Sequence, residues 1–326
     1  MRYSSAIAAI GNTPLIQLNL GTPPTIYAKL EYFNPGGSIK DRAARFMIEE
    51  AERNGTLKPG GTIIEASSGN QGIAAAMIGA IKGYRVVITV SEKVSTEKKN
   101  TLRAYGAEVI ICPSTAELTD PESYHSRAVA IQKETPNSYM LNQYFNAHNA
   151  EAHYRDLGPE IWHQTEGLVT HYIGALGTGG TVCGAGKYLR EQNNAIRVVG
   201  VDAATSYRAT NGHPSPYKLE GIGVDFDGPL LDPRVMTDYL TATDAESIAM
   251  LRELARHHGL LVGPSSGAVA AAARRYTAQL SPTDVVVIVF GDSGRAYLTK
   301  QFYDAADSYQ PAREQYESLA EKPLNI

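Results

Sequence analysis

The 326-residue chain predicts an α/β fold whose sheets are largely parallel and covered on both faces. Three observations carry this reading. Short aliphatic runs of strand length recur along the chain. Each leads through a small polar or glycine-rich turn into a segment with helical apolar spacing. The next aliphatic run then follows, which is the order that parallel strands with helical crossovers require.

The elements follow in order. "TIIEA" (62–66) precedes the helical "GIAAAMIGAIKG" (72–83). "YRVVITV" (84–90) precedes "STEKKNTLRAYG" (95–106), then "AEVIIC" (107–112). "THYIGAL" (170–176) leads through "GTGGT" into a helix and on to "IRVVGVDA" (196–203). "GLLVG" (259–263) reads as a strand before the helix "SSGAVAAAARRYTAQL", and "DVVVIVF" (284–290) closes the series. The charged segment after Asp304 reads as a surface helix or a frayed end.

Bulk properties narrow the function. The length allows one large domain or two smaller ones. An apolar share of 43% and a charged share of 20% are those of a soluble globular protein. A net charge of −4 argues against binding nucleic acid through a basic surface. No apolar run reaches membrane-spanning length, and the N-terminal apolar stretch is too short for a secretory signal. Cys112 and Cys183, the two cysteines, form no CxxC pair, so a cytoplasmic location with free thiols is expected.

In open parallel sheets, ligands sit beyond the carboxyl ends of the strands, and four polar loops fall there. "NPGGSIKDR" (34–42) has Ser38 as an N-cap, Asp41 as its capping-box partner and Lys40 in the first helical turn. A cation at a helix N-terminus is unfavourable. Lys40 is therefore either a solvated surface residue or a lysine kept neutral, and a neutral amine is a nucleophile. "EASSGNQG" (65–72) sets Ser67, Ser68 and Asn70 before a helix, a carboxylate or phosphate site or plain capping. "GTGGT" (177–181) has the composition of a phosphate cradle or of a tight turn. "GPSSG" (263–267) contains G-x-S-x-G with Ser265 central. A hydrolase triad in the order that motif needs is excluded, because the last histidine, His258, precedes Ser265. The eight histidines show no zinc-ligand spacing. "GTGG" with Asp202 at the end of the next strand leaves a nicotinamide-dependent dehydrogenase open, although the sixth fingerprint position is Val182 rather than glycine. A non-catalytic small-molecule binder is the other alternative.

Together these loops resemble the pyridoxal-phosphate enzymes of fold type II, the cysteine synthase and cystathionine β-synthase family. The likeness runs from "IGNTPLIQL" (10–18) to "GDSGRAYLTK" (291–300), with the motifs in the family's order. It implies two open αβ domains with the cofactor in the cleft between them. It assigns 1–37 and 148–310 to a large cofactor-binding domain, 38–147 to a small mobile substrate domain, and 311–326 to a C-terminal tail. Lys40 is implied as the catalytic lysine that carries pyridoxal 5'-phosphate. Asn70 would lie beside the cofactor's 3′-oxygen, Gly177, Thr178, Gly179, Gly180 and Thr181 around its phosphate, and Ser265 at its pyridine nitrogen. Ser67, Ser68, Gln71 and Gln143 would hold the substrate carboxylate, and Gly221 in "EGIGVDF" (220–226) would lie at the mouth of the site. No metal is implied.

The implied reaction is β-replacement on L-serine or an O-activated L-serine through an aminoacrylate, with a thiol or sulfide as nucleophile. The partners are small amino-acid substrates, not nucleic acid or membrane, and the assembly is a homodimer. "SEKVSTEKKNTLRAYGAEVI", "DPESYHSRA" and "EGIGVDF" resemble the cystathionine β-synthase branch. Three departures fall where a second substrate is read: Gln71 in place of threonine, Ala204 in place of an acid, and Gly291 in place of proline. They keep open an amine nucleophile, as in the synthesis of diaminopropionate-type precursors.

Overall fold

The computed structural model describes residues 2–67, 69–114, 119–224, 226 and 228–304. The expected tail, 311–326, lies outside the described residues, as does the end of the segment assigned to the large domain. In chain order the elements are β1 (Leu15–Gln17), β2 (Thr25–Leu30), α1 (Lys40–Arg53), β3 (Thr62–Ala66), α2 (Asn70–Lys82), β4 (Arg85–Ser91), α3 (Thr96–Ala104), β5 (Glu108–Cys112), α4 (Tyr124–Glu134) and β6 (Ser138–Met140). There follow α5 (His148–Arg155), α6 (Leu157–Gln164), β7 (His171–Ala175), α7 (Gly180–Gln192), β8 (Arg197–Ala203), β9 (Asp238–Ala242), α8 (Asp244–His258), α9 (Pro264–Thr277) and β10 (Val285–Phe290).

Two sheets result. One has the order β1-β2-β10-β7-β8-β9, parallel except for β1 at its edge. The other has the order β5-β4-β3-β6 and is parallel throughout. Apolar clusters lie on both faces of each sheet. β3 and β10 are accordingly buried almost end to end. The expectation of parallel, doubly covered sheets holds. "GLLVG" is corrected: it forms no strand, and Val262 makes only an isolated bridge to Ser293. The run ends in Gly263, which abuts Asp292, so the chain turns into α9 without pairing further. No helix among the described residues is long and apolar enough to cross a membrane.

The ends of β2, β3, β6, β7 and β10 release the loops that matter for chemistry. One ion network fixes where the first of them docks. Arg42, two residues into α1, is fully buried. Its guanidinium grips Glu31 bidentately at 2.7 and 2.9 Å and Glu160 at 2.7 and 2.8 Å. Lys29 Nζ donates to Glu160 at 2.7 Å, to the Thr13 carbonyl at 2.7 Å and to Gln164 at 2.8 Å. The network ties α1 to the end of β2 and to α6. Burial pushes the Glu160 carboxyl up, but the bonds and charge of Arg42 outweigh it and hold the group at about 2.

Removing one partner of such a network strands the others as uncompensated buried charge. Arg42→Met should lower stability by about 3–5 kcal/mol, measured by denaturant unfolding. The native carboxyl of Glu160 lies below its ordinary 4.5, so its contribution is present above that pH and is lost as pH falls toward about 2. The Arg42→Met protein should show less of this acid-dependent loss than the parent.

Candidate active site

The N–H of Ile39 donates to the carbonyl of Gly291 at 2.8 Å, and Ser38 bridges Asp292. The start of α1 is thereby held against the end of β10. A side chain at Gly291 would lie 3.8 Å from Ser265 Oγ and 3.8 Å from Ile39, so Gly291 sits between Ser265 and the residue that precedes Lys40. The expected capping box is corrected. Ile39 is the residue before the helix and is already helical, with φ −56° and ψ −21°, whereas a capping box needs an extended residue there. Ser38 Oγ instead accepts from Lys40 N at 3.2 Å, and the Asp41 carboxylate folds back onto Gly36 N at 2.5 Å.

Lys40 is half-buried at this junction. Burial pulls its amine down to about 8, with Glu65 and Asp292 acting in the opposite sense. Glu65 lies at the end of β3 and is fully buried; burial pushes its carboxyl up to about 8 against the pull of two backbone N–H groups and Lys40. Burial and the positive charges of Lys40 and Arg42 hold His153 well below the usual imidazole range.

The loop after β3 wraps the N-terminus of α2. Gly69, at φ +128°, occupies a conformation closed to other residues, and a side chain there would collide with Lys98. Ser67 Oγ accepts from the N–H of Gly69 and of Gly72, both at 3.0 Å. Both lone pairs are used, and only its O–H remains to donate outward. Asn70 Nδ2 donates to Asp292 Oδ2 at 2.6 Å. Gln71 is 1% exposed, and neither its Oε1 nor its Nε2 has a partner in the structure. Such a buried amide is costly unless a ligand satisfies it. Ser68 lies outside the described residues.

The loop after β6 brings in Gln143, which is 3% exposed. Its carbonyl accepts from Asn149 Nδ2 at 2.8 Å, and the same nitrogen donates to Thr178 Oγ1 at 3.1 Å. Thr178 belongs to the Gly177–Thr181 loop at the end of β7. There Gly179, at φ +85°, turns the chain into α7, and its α-carbon side lies against the backbone of Leu231. Thr178 Oγ1 accepts from Gly180 N at 3.2 Å, and Thr181 Oγ1 lies 3.2 Å from His153 Nε2. The first N–H groups of α7 have no carbonyl of their own helix to bond, so the loop is a cradle for an anion.

Gly221 closes the far side. A side chain on it would lie 3.5 Å from Ser265 Oγ. Its neighbour Glu220 accepts from Lys98 of α3 at 3.0 Å and pairs with Lys300 at 3.2 Å. Lys98 also donates to Tyr297 OH at 2.9 Å. Contacts therefore bring together the start of α1, Gly291, Ser265, Gly221 and Gly177, join Asn70 to Asp292, and link Gln143 through Asn149 to Thr178 of the Gly177–Thr181 loop. Asp202 belongs elsewhere: buried on β8, it accepts from Ala203 N and Tyr239 OH. It offers no free carboxylate to a ribose, which removes the dehydrogenase alternative. Among the described residues no group of histidine, cysteine and acidic side chains could hold a metal ion.

Sequence reasoning missed Glu65, Asn149, His153 and Asp292. For Glu65 a signal exists: an acid inside the otherwise uncharged strand "TIIEA". Asp292, just after "VVVIVF", carries the same signal. Asn149 and His153 sit on a helix face with no local mark.

Comparison with known proteins gives the family and the fold. The family described as Pyridoxal-phosphate dependent enzyme matches residues 7–292. Cystathionine beta-synthase of Saccharomyces cerevisiae is 45% identical over 315 residues, which is 91% of this chain and 62% of the yeast protein. The chain thus spans under two thirds of that relative's length. A probable cysteine synthase of Bacillus subtilis is 40% identical over 90% of this chain and 96% of its own. The crystal structure of O-acetylserine dependent cystathionine beta-synthase from Helicobacter pylori superposes with a TM-score of 0.88 at 35% identity, covering 93% of this chain and all of that one.

With its amine free, Lys40 should be acetylated at a rate that rises with pH to about 8 and levels off above it. Competitive acetylation with peptide mass analysis reads this directly. A rate still rising through the ordinary lysine range would contradict the burial argument.

Proposed function

The chain belongs to the pyridoxal-phosphate dependent enzymes, with their type II fold, and on that premise we propose that it catalyses β-replacement on L-serine or an O-activated L-serine, with a thiol or sulfide as incoming nucleophile. The observation that carries the reading is the Lys40 amine, held near neutrality at about 8, in a cleft that joins an anion cradle to a buried, unpartnered amide. The residues present fit the cofactor. The Gly177–Thr181 loop at the N-terminus of α7 suits a phosphate dianion. Ser265 offers a neutral hydroxyl to a ring nitrogen, and Asn70, braced by Asp292, offers an amide to a ring oxygen.

When bound, pyridoxal phosphate supplies an aldehyde that captures amines and a ring that draws electrons from Cα. The remaining work falls to the protein. Gln71 and Gln143, with the Ser67 hydroxyl and Ser68, hold the substrate carboxylate. Lys40 Nζ takes the proton from Cα as general base. The β-substituent leaves with its bonding electrons, the sulfur nucleophile bonds to Cβ, and Lys40 returns the proton to Cα. A serine at position 265 cannot hold a cationic pyridinium as a carboxylate would, which favours prompt elimination over transamination or racemisation.

We assign 38–147 as the unit that closes over substrate, because its loops meet the rest of the chain at the cleft through Lys98–Glu220 and Asn70–Asp292. The reading extends to a cytoplasmic homodimer. Both cysteines are free and buried, which suits a reducing compartment, and Phe33, Leu168 and Leu298 are large apolar side chains left exposed.

The test is turnover of serine, O-acetylserine and O-phosphoserine against sulfide, homocysteine, cysteine and an amine, with product identification. A thioether or cysteine should form from at least one donor. Formation of an amine adduct alone would replace the nucleophile class, and no product from any pair would remove the activity. Lys40→Ala should abolish turnover yet still bind the cofactor, and borohydride should fix the cofactor to the peptide bearing residue 40 only in the parent protein. Ser265→Asp should slow replacement several-fold and alter the visible spectrum during turnover; unchanged rates and spectra would remove Ser265 from the ring nitrogen.

A further inference from the structure

β3 is buried along its whole length, and Glu65 is its one charged residue. Glu65 has no accessible surface, and burial pushes its carboxyl up to about 8, so the position disfavours the residue that holds it. Its oxygens are engaged. Oε2 accepts from Asn142 N at 2.7 Å and Oε1 from Gln143 N at 3.4 Å. Two successive backbone N–H groups point at one carboxyl because Asn142 adopts the left-handed conformation, φ +52°. This is an anion-binding nest, here filled by a side chain of the protein itself. Asparagine tolerates that conformation better than most residues. The groups facing Glu65 are Lys40 from α1 and the phenols of Tyr139 and Tyr144 from the chain on either side of the nest.

We propose that Glu65 is the positioning residue of the substrate site: it holds the Asn142–Gln143 turn against β3 and so sets the Gln143 amide where it meets the substrate carboxylate. The inference rests on the reading of Gln143 given above. Glu65 fixes the turn from beneath, through its N–H groups. Asn149 fixes it from the other side through the Gln143 carbonyl and passes on to Thr178 of the anion cradle. The carboxylate contact and the phosphate loop are thereby set at one spacing by a continuous line of hydrogen bonds from β3 to α7. Glu65 touches no substrate atom, and its effect appears as binding geometry.

The test has two independent arms. In the first, hydrogen exchange of the parent protein without substrate should show the amides of Asn142 and Gln143 protected at least tenfold over free-peptide rates, and Glu65→Gln, which keeps one acceptor, should lower that protection at one of the two. Exchange at free-peptide rates in the parent protein overturns the proposal, and that measurement depends neither on cofactor chemistry nor on a variant that folds. In the second arm, Glu65→Gln and Glu65→Asp are assayed with the preferred amino-acid donor. The donor KM should rise tenfold or more in both, since one has lost an acceptor and the other its reach, while kcat at saturation changes less than threefold. A matched fall in kcat with unchanged KM would make Glu65 a structural or catalytic acid instead. Protected amides together with a normal KM would show that the nest exists but that Gln143 does not read the substrate, which separates failure of the underlying reading from failure of this one.

Discussion

The buried guanidinium of Arg42 is the constraint on which the rest of the site depends. Lys40 and Arg42 share the first turn of α1, so fixing one fixes the other. Arg42 spans Glu31 at the end of β2 and Glu160 on α6, with Thr13 hydrogen-bonded to Glu31 at 2.6 Å. A hydrophobic residue at position 42 could pack there, but it could not dictate orientation. The planar fork can. It pins the helix that bears the reactive amine to the six-stranded sheet, while the next loops of the same cleft issue from the four-stranded one.

Contacts across the cleft then define its shape. Ile39 N–H to Gly291, Asn70 to Asp292, and Lys98 to Glu220 each join a residue of the stretch 38–147 to one beyond it. These three are polar; the stretch is tied to the rest also by the buried Arg42–Glu160 pair, by Ser95 to the Ala296 carbonyl and by Thr299 to Glu97. Polar links of this kind can be broken and remade in water at small net cost, which is what a cleft that admits and releases substrate requires. Apolar packing crosses the same boundary at two points: Ile39 joins the cluster of Leu157, Tyr172 and Val287, and Ile10 joins that of α1 and α2.

How much of this was legible in the sequence follows from what each signal encodes. Apolar runs and glycine-rich turns report local conformation, so the buried strands and the loops at their ends were readable. Lys40 stood out because a cation in a first helical turn breaks a local rule. β2 did not stand out: "TIYAKL" carries Lys29, a surface residue by type, whose burial is made possible by Glu160, more than a hundred positions away. "GLLVG" misled for the complementary reason, since an apolar run promises burial but not a pairing partner. The capping box at Ser38 failed by one residue because Ile39 is drawn into helical geometry by its bond to Gly291, a contact no local pattern records. Gln71 and Gln143 were reached only through the family resemblance, and the support beneath them, Glu65 and Asn149, belongs to tertiary geometry.

The oddity of a lysine at a helix N-terminus resolves within that geometry. A cation there is opposed by the helix dipole and by burial, and both effects favour the neutral amine. An amine whose affinity for protons fell too far would be a poor base toward the Cα proton. Glu65 and Asp292 face Lys40 and act in the opposite sense, and the balance falls at about 8, close to the pH at which the amine must both accept and release a proton. Burial of the two acids is part of the same balance, because it raises their own affinity for protons and so limits the charge they present to Lys40. Water admitted to the cleft would screen all three groups and return the lysine toward an ordinary cation. Exclusion of water from around Lys40 is thus a condition of the chemistry.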